Sequence, residues 1–175
     1  PLNNWLEMLL SVIRNDPKVG AVGAKLLFPS GKIQHAGVVI TNELFPVHPV
    51  HIYWNYPLTN PLSENQKEYK CLTAACLLIR RDTFWAVGGF DEGYKNGYED
   101  VDLCFKLGEK GYKLIYTPKS RLIHLESQSP GRFNKLLNNI DRLNRKWAGK
   151  VKYDFKKEPK VSIIIPLYNT WNDLI

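Results

Sequence analysis

The sequence lacks any apolar run long enough to cross a bilayer, and it contains few cysteines. Its 175 residues include three, Cys71, Cys76 and Cys104, which is an odd number at no spacing typical of a metal site. This pattern argues against a disulfide framework and favours a reducing, cytoplasmic setting, with peripheral association at the inner face of the membrane left open. Hydrophobic residues make up 44% of the chain and charged residues 23%, which is the composition of a globular domain.

The positive charge of the chain is concentrated in one segment. The formal net charge is +7, and residues 132–160 hold ten Lys or Arg against three acids, while the rest of the chain is balanced. Such a segment can meet phosphate, an anionic membrane surface or nucleic acid, although a basic face on a solvated helix is the commoner origin. Because the basic residues are not interleaved with aromatic residues or a recognisable motif, nucleic acid is not predicted as a partner.

Apolar periodicity predicts helices that alternate with buried strands, which defines an α/β layer structure. The predicted helices are 5–13, a short one opened by Arg81-Asp82, 100–110 and 133–147, and the predicted strands are 19–28, 33–40, 72–79, 113–116 and 122–125. Strand 72–79 is a continuous small and apolar run, so we expect it to be buried on both faces. Pro118 is expected to end strand 113–116. Residues 41–70 contain several prolines and little periodicity, which predicts a long flap over a site.

A cluster of carboxylates marks the start of the third predicted helix. Asp100 and Asp102 fall within its first turn, and Glu99 directly precedes it. Backbone N–H groups and the helix dipole stabilise anionic carboxylates at such a position. These side chains could therefore face a cleft as ionised groups, where one could act as a base. On spacing alone an equally good interpretation is that one acid caps the helix and the others are solvated.

Several motifs in combination resemble glycosyltransferase family 2, which has the GT-A fold. They are Gly20-Ala21-Val22-Gly23-Ala24-Lys25-Leu26-Leu27, Gln34-His35-Ala36-Gly37, Ala75-Cys76-Leu77-Leu78-Ile79-Arg80, Gly88-Gly89-Phe90-Asp91-Glu92, Glu99-Asp100-Val101-Asp102-Leu103 and His124. The resemblance covers residues 1–150. It implies a partial GT-A fold, with a mixed sheet flanked by helices. It also implies an inverting hexosyl or deoxyhexosyl transfer from a nucleotide-sugar donor to a hydroxyl of a glycan or lipid-linked acceptor, in bacterial surface-polysaccharide synthesis.

The end of the chain resembles the opening of the same fold. Residues 161–169 are similar to the first strand and nucleotide-binding loop of the family. We therefore expect an acceptor-side part of one domain at 1–150, a linker at 151–160 and the start of a second, tandem domain at 161–175. On this interpretation the chain is a fragment that is inactive alone, because the N-terminal nucleotide-binding half with its metal-binding Asp-x-Asp motif is missing. The strand at 161–165 would pair with a sheet in the chain or in a homodimer.

The resemblance also implies roles for individual residues. Asp100 would be the general base, and Glu99 would assist it as a second catalytic residue. The other implied roles are acceptor binding by Gly89, Phe90, Asp91 and Asp102, binding of Mn²⁺ or Mg²⁺ by His124 together with the missing aspartates, and diphosphate binding by Arg132. Phe90 could equally lie in the core, and a lone strand histidine is usually structural.

Two other classes of protein also use carboxylates or bind sugars. A glycoside hydrolase needs two carboxylates that flank the scissile bond, which three acids on one helix start do not provide. A non-catalytic carbohydrate-binding or interaction module remains open, with Tyr53, Trp54 and Tyr56 as stacking platforms for sugar rings.

Overall fold

The computed structural model of the chain describes residues 4–125 and 135–155. Its helices are α1 (Trp5–Asn15), α2 (Arg81–Ala86), α3 (Glu99–Glu109) and α4 (Leu136–Trp147). Its strands are β1 (Val19–Leu27), β2 (Ile33–His35), β3 (Val38–Thr41), β4 (His48–His51), β5 (Lys67–Glu68), β6 (Leu77–Ile79) and β7 (Lys113–Ile123). The predicted α/β class and the mixed sheet flanked by helices are confirmed.

Strand β1 is the centre of the main sheet. It pairs in parallel with β7 and antiparallel with β2 and β6, and β5 extends the sheet beyond β7. Every residue of β1 is buried, as expected for a strand covered on both faces. A Cβ on Gly20 would come within 2.8 Å of the Tyr112 Cβ, so this glycine permits close packing on β1. Strands β3 and β4 form a separate antiparallel ribbon.

The two faces of the main sheet carry different helices. Leu9 and Ile13 of α1 form one buried cluster with Val22 and other residues of β1. On the other side, α3 and α4 contribute buried side chains to a larger cluster that includes Ala21. This alternation of neighbouring β1 residues between two clusters follows from the period of two in a strand.

The prediction of one buried strand over 72–79 is wrong. Residues Ala74–Cys76 form a 3₁₀ turn, and only the half-buried β6 continues as a strand. The cause is competition for backbone N–H groups. The Ala75 N–H donates to Thr73 Oγ1 at 3.3 Å, and the Ala74 N–H donates to Asp100 Oδ2 at 3.0 Å. The turn thereby connects this segment to the start of α3.

The prediction that Pro118 ends a strand is also wrong, because β7 continues to Ile123 and unites two predicted strands. The β1–β7 register jumps between neighbouring residues of β1, since Ala24 faces Thr117 but Lys25 faces Arg121. Residues 118–120 therefore have no Cα partner on β1. Pro118 lies in this irregularity, where its missing N–H costs no ladder hydrogen bond.

The predicted strand 33–40 is divided between two sheets. Gly37 separates β2 from β3 with a φ of 125°, and a Cβ there would lie 2.5 Å from the Tyr69 ring. The following excursion, 41–70, includes β4, a 3₁₀ turn at Pro61–Ser63 and β5. Buried Lys25 binds this excursion, because its Nζ donates to Ser63 Oγ at 2.8 Å and lies 2.5 Å from Glu64 Oε1.

Some predictions concern residues outside the described ranges. Arg132, the predicted linker from residue 156 onwards, the second domain at 161–175 and its strand 161–165 are among them. Within the described part of the chain, no helix combines the length and apolar character needed to span a membrane.

Candidate active site

A cavity of about 510 Å³ lies between the β3–β4 ribbon, residues 73–75 at the 3₁₀ turn and the start of α3. Glu99 and Asp100 line it, as does His124, which directly follows β7. The fold thus brings the acidic motif and the histidine to one cavity. Pro49 and His51 line the same cavity, so part of the 41–70 excursion contributes to its wall.

The Asp100 carboxylate is oriented by two backbone N–H groups. The Ala74 N–H donates to its Oδ2 at 3.0 Å, and the Val101 N–H donates to its Oδ1 at 2.9 Å. A carboxylate oxygen has more than one acceptor site, so both oxygens can still accept a further hydrogen bond or a proton. Asp100 is therefore held in one orientation at the cavity wall without losing its capacity as a base.

The loop before α3 has an unusual backbone. Asn96, Gly97 and Tyr98 have successive φ angles of 54°, 151° and 72°. Non-glycine residues rarely adopt positive φ, and such conformations persist where the surroundings impose them, often at functional sites. The Gly97 N–H donates to Glu99 Oε2 at 2.6 Å. Glu99 therefore stabilises the loop that precedes Asp100 and positions it.

Asn139 of α4 holds the same loop from the other side. Its Nδ2 donates to the Lys95 carbonyl at 2.8 Å, and the Lys95 N–H donates to its Oδ1 at 3.1 Å. Asn139 is buried and lines the cavity. The sequence prediction missed this residue. A signal was present, because Asn139 falls on the apolar stripe of α4, where a polar side chain needs hydrogen-bond partners.

Asp102 does not line the cavity, although the sequence predicted an acceptor contact. It is fully buried, and its Oδ1 accepts a hydrogen bond from Trp147 Nε1 at 2.7 Å. The Nζ of Lys146 lies 2.6 Å from Oδ1, and the Nζ of Lys106 lies 3.2 Å from Oδ2. Asp102 therefore joins α3 to α4.

The Gly-Gly-Phe-Asp loop lies beside α4 and does not line the described cavity. Arg142 Nη2 donates to Asp91 Oδ1 at 2.8 Å and to its Oδ2 at 3.0 Å. Partial burial works against the charged form of Asp91, but hydrogen bonds from Arg142, Gly93 and Lys146 outweigh it and lower the pKa to about 2. Asp91 thus fixes the loop to α4 through an ion pair.

Two neighbours of Asp91 complete this loop. Gly89 adopts a φ of 63°, and its carbonyl accepts a hydrogen bond from Lys106 Nζ at 2.7 Å. Phe90 is 42% exposed, with its ring centroid 5.4 Å from that of Phe84. The structure therefore decides against a core position for Phe90 and leaves part of its ring accessible.

Three histidines surround a smaller adjoining cavity of about 70 Å³. His124 lines both cavities, and its Nδ1 lies 2.7 Å from Gln34 Oε1. His35 is fully buried with its Nδ1 3.2 Å from that of His51, and burial lowers its pKa well below the ordinary value. Among the described residues, no group of three His, Cys, Asp or Glu side chains is placed to hold a metal ion.

An α/β domain with a carboxylate held at the start of a helix beside a large cavity suits an enzyme that uses a general base.

No family model matches the chain. The chain is 40% identical over 128 residues to the O-antigen biosynthesis protein RfbC of Myxococcus xanthus, covering 72% of this chain and 10% of that protein.

Two relatives have more specific names. The chain is 30% identical over 135 residues to the N-acetylglucosaminyl-diphospho-decaprenol L-rhamnosyltransferase of Mycobacterium tuberculosis, covering 73% of this chain and 44% of that protein. It is 44% identical over 48 residues to the rhamnosyltransferase WbbL of Escherichia coli, covering 27% of this chain and 18% of that protein.

The names of these relatives support a glycosyltransferase family, which confirms the broader part of the sequence prediction. The chain spans less than half the length of each of these relatives. The activity, substrates and partners of the whole protein are therefore matters for proposal.

Proposed function

We propose that this chain is the acceptor-side part of an inverting glycosyltransferase of family 2. The enzyme transfers a sugar from a nucleotide-sugar donor to a hydroxyl of a glycan or lipid-linked acceptor during surface-polysaccharide synthesis. The observation that carries the proposal is the Asp100 carboxylate, fixed by two backbone N–H groups at the wall of the large cavity. The transferase names of the relatives support the same class of reaction.

Asp100 acts as the general base of a single displacement. Its carboxylate takes the proton of the acceptor hydroxyl while that oxygen forms a bond to the anomeric carbon. The bond from the anomeric carbon to the nucleoside diphosphate breaks on the opposite face, and its electron pair leaves with the diphosphate. Attack from the face opposite the leaving group inverts the configuration. The acceptor hydroxyl has to come within about 3 Å of an Asp100 oxygen for this transfer.

Other residues position Asp100 or contact the acceptor. Glu99 holds the loop that positions Asp100, by accepting a hydrogen bond from the Gly97 N–H. In the Gly-Gly-Phe-Asp loop, Gly89 allows the turn and Asp91 ties it to α4, so that the exposed face of Phe90 is available to the C–H face of a sugar. Acceptor binding by this loop therefore depends on Phe90 for contact and on Asp91 for position.

A divalent cation, Mn²⁺ or Mg²⁺, is part of the proposal. When bound, it would neutralise the negative charge that develops on the leaving diphosphate. His124 fits as one nitrogen ligand, because it lines the cavity and Gln34 contacts its ring at Nδ1 and not at Nε2. The described residues contain no complete set of ligands, and in this proposal aspartates outside them complete it.

The base is tested by Asp100→Asn in the full-length protein. We expect transfer to fall by about 10²–10⁴-fold, the usual contribution of a general base, while the fold is retained. Asp82→Asn is the matched control, because Asp82 is an exposed acid in the first turn of α2 that also binds the next backbone N–H, at 2.8 Å. Transfer by Asp100→Asn at the rate of the control would refute the role of Asp100.

One observation favours a second candidate, a non-catalytic carbohydrate-binding module. Trp54 and Tyr56 are 54% and 55% exposed, and Trp54 lines the smaller cavity. Exposed aromatic rings beside a cavity suit stacking on sugars. If the full-length protein binds glycan through Trp54 but shows no transfer with any nucleotide sugar, this candidate takes precedence.

A further inference from the structure

The side-chain amide of Gln34 makes two contacts with one residue, His124. Gln34 lies in β2, and the two residues meet across the end of β1, where the His124 N–H donates to the Leu27 carbonyl. Gln34 Oε1 lies 2.7 Å from His124 Nδ1, and Gln34 Nε2 donates to the His124 carbonyl at 3.4 Å. Gln34 is only 5% exposed, so its amide depends on such partners.

These contacts fix which atom of the amide faces the ring. A carbonyl oxygen can only accept a hydrogen bond, so the amide end near the His124 carbonyl must be the NH₂ group. The oxygen of Gln34 is then the atom opposite Nδ1. Because that oxygen also can only accept, Nδ1 must carry a proton. In the neutral ring the lone pair that remains is on Nε2.

We propose that Gln34 is a positioning residue that holds His124 as its Nδ1–H tautomer, so that the Nε2 lone pair is available to a divalent cation in the cavity. The inference rests on the proposed function, since it assigns a partner to the histidine that would bind the cation there. A hydrogen-bonded neighbour that fixes the tautomer of a metal-binding histidine also raises the basicity of the ligand.

The alternative tautomer is disfavoured by the same geometry. If Nδ1 lost its proton, the amide would have to rotate to place its NH₂ group against the ring. Its oxygen would then face the His124 carbonyl, and two acceptors would oppose each other at the 3.4 Å contact. The Gln34 contact to the backbone therefore stabilises one tautomer of the ring.

The tautomer can be read directly by nuclear magnetic resonance of the chain with ¹⁵N-labelled histidine, which has four such residues to assign. We expect His124 to favour the Nδ1–H form over the alternative by about tenfold or more, as one hydrogen bond allows. Gln34→Leu should abolish this preference, because leucine offers the ring no acceptor. Gln66→Leu makes the same change at an exposed position and should alter nothing.

The cation is tested separately in the full-length protein, by a titration with Mn²⁺ followed by electron paramagnetic resonance. Gln34→Leu should weaken Mn²⁺ binding by about 10- to 100-fold, whereas Gln66→Leu should leave it unchanged. An Nε2–H tautomer in the native chain, or an unchanged tautomer in Gln34→Leu, would overturn the inference. Equal Mn²⁺ affinity in both variants would overturn its cation part. The tautomer is observed without substrate, so failure of the proposed transferase function would be recognised separately.

Discussion

Removal of the Asp102 carboxylate should be among the most damaging changes to the stability of this fold. The side chain is fully buried and accepts a hydrogen bond from Trp147, which is itself only 2% exposed. Its charge is paired with Lys106 and Lys146, whose side chains are 17% and 34% exposed. Asp102→Ala would leave the buried indole N–H without its acceptor. Each ammonium group would lose one partner, while Lys106 keeps the Gly89 carbonyl and Lys146 keeps Asp91.

The magnitude follows from these contacts. An unsatisfied buried donor costs about 1–3 kcal/mol. Each lysine can regain water, so the loss of each ion pair adds at most about 1 kcal/mol. These contributions together range from about 1 to about 5 kcal/mol, so we expect Asp102→Ala to lower the free energy of unfolding by about 2–4 kcal/mol, near the middle of that range. Asp102→Asn should cost less, because the amide oxygen can still accept from Trp147.

Urea denaturation followed by tryptophan fluorescence provides the measurement. With a slope of about 2 kcal/mol per molar urea, the midpoint of Asp102→Ala should fall by about 1–2 M. Asp141→Asn is the control, since Asp141 pairs with Arg145 on the exposed face of α4 with both side chains more than half exposed. It should change the stability by no more than about 0.5 kcal/mol. A loss below about 1 kcal/mol for Asp102→Ala would refute the reasoning.

Two further predictions concern pH and the backbone. The pKa of Asp91 falls from 3.8 to about 2 on folding, so its stabilising effect is complete above pH 4 and disappears as the pH falls towards 2. Asp91→Asn should thus be less stable than the native chain at pH 6 but equally stable near pH 2, and a pH-independent difference would contradict the assignment. Gly37→Ala combines a positive φ with a clash against the Tyr69 ring and should destabilise the fold by more than about 1 kcal/mol. Gly108→Ala, in α3 with open space for a Cβ, should stabilise it by about 0.5–1 kcal/mol, and equal effects of the two alanines would contradict this account.

Helices were predicted well from the sequence because their signals are local. The apolar spacing and Gly111 predicted a helix at 100–110. In the structure α3 is Glu99–Glu109, and Gly111 follows it with a φ of 79°. Strands were harder, since their ends depend on partners that are distant in sequence. The break at 74–76 depends on the carboxylate of Asp100, and the passage of β7 through Pro118 depends on a shifted register with β1.

The residues of the candidate site also divide into those that local motifs indicate and those that only the fold brings to the cavity. The motifs identified Glu99, Asp100 and His124, which the fold brings to one cavity. The same motifs also suggested an acceptor contact for Asp102. Residues two apart on a helix point in directions about 160° apart, so Asp102 does not face the cavity that Asp100 lines. His51 reaches the site through the β3–β4 ribbon, a pairing that no local pattern in the sequence reveals.

The central claim is a single displacement on the acceptor side of a glycosyltransferase, with Asp100 as its base. It is tested most directly by determining the anomeric configuration of the product that the full-length protein forms from a nucleotide-sugar donor, using proton nuclear magnetic resonance during turnover. The account predicts a first-formed product of configuration opposite to that of the donor. A first-formed product with the configuration of the donor would contradict it.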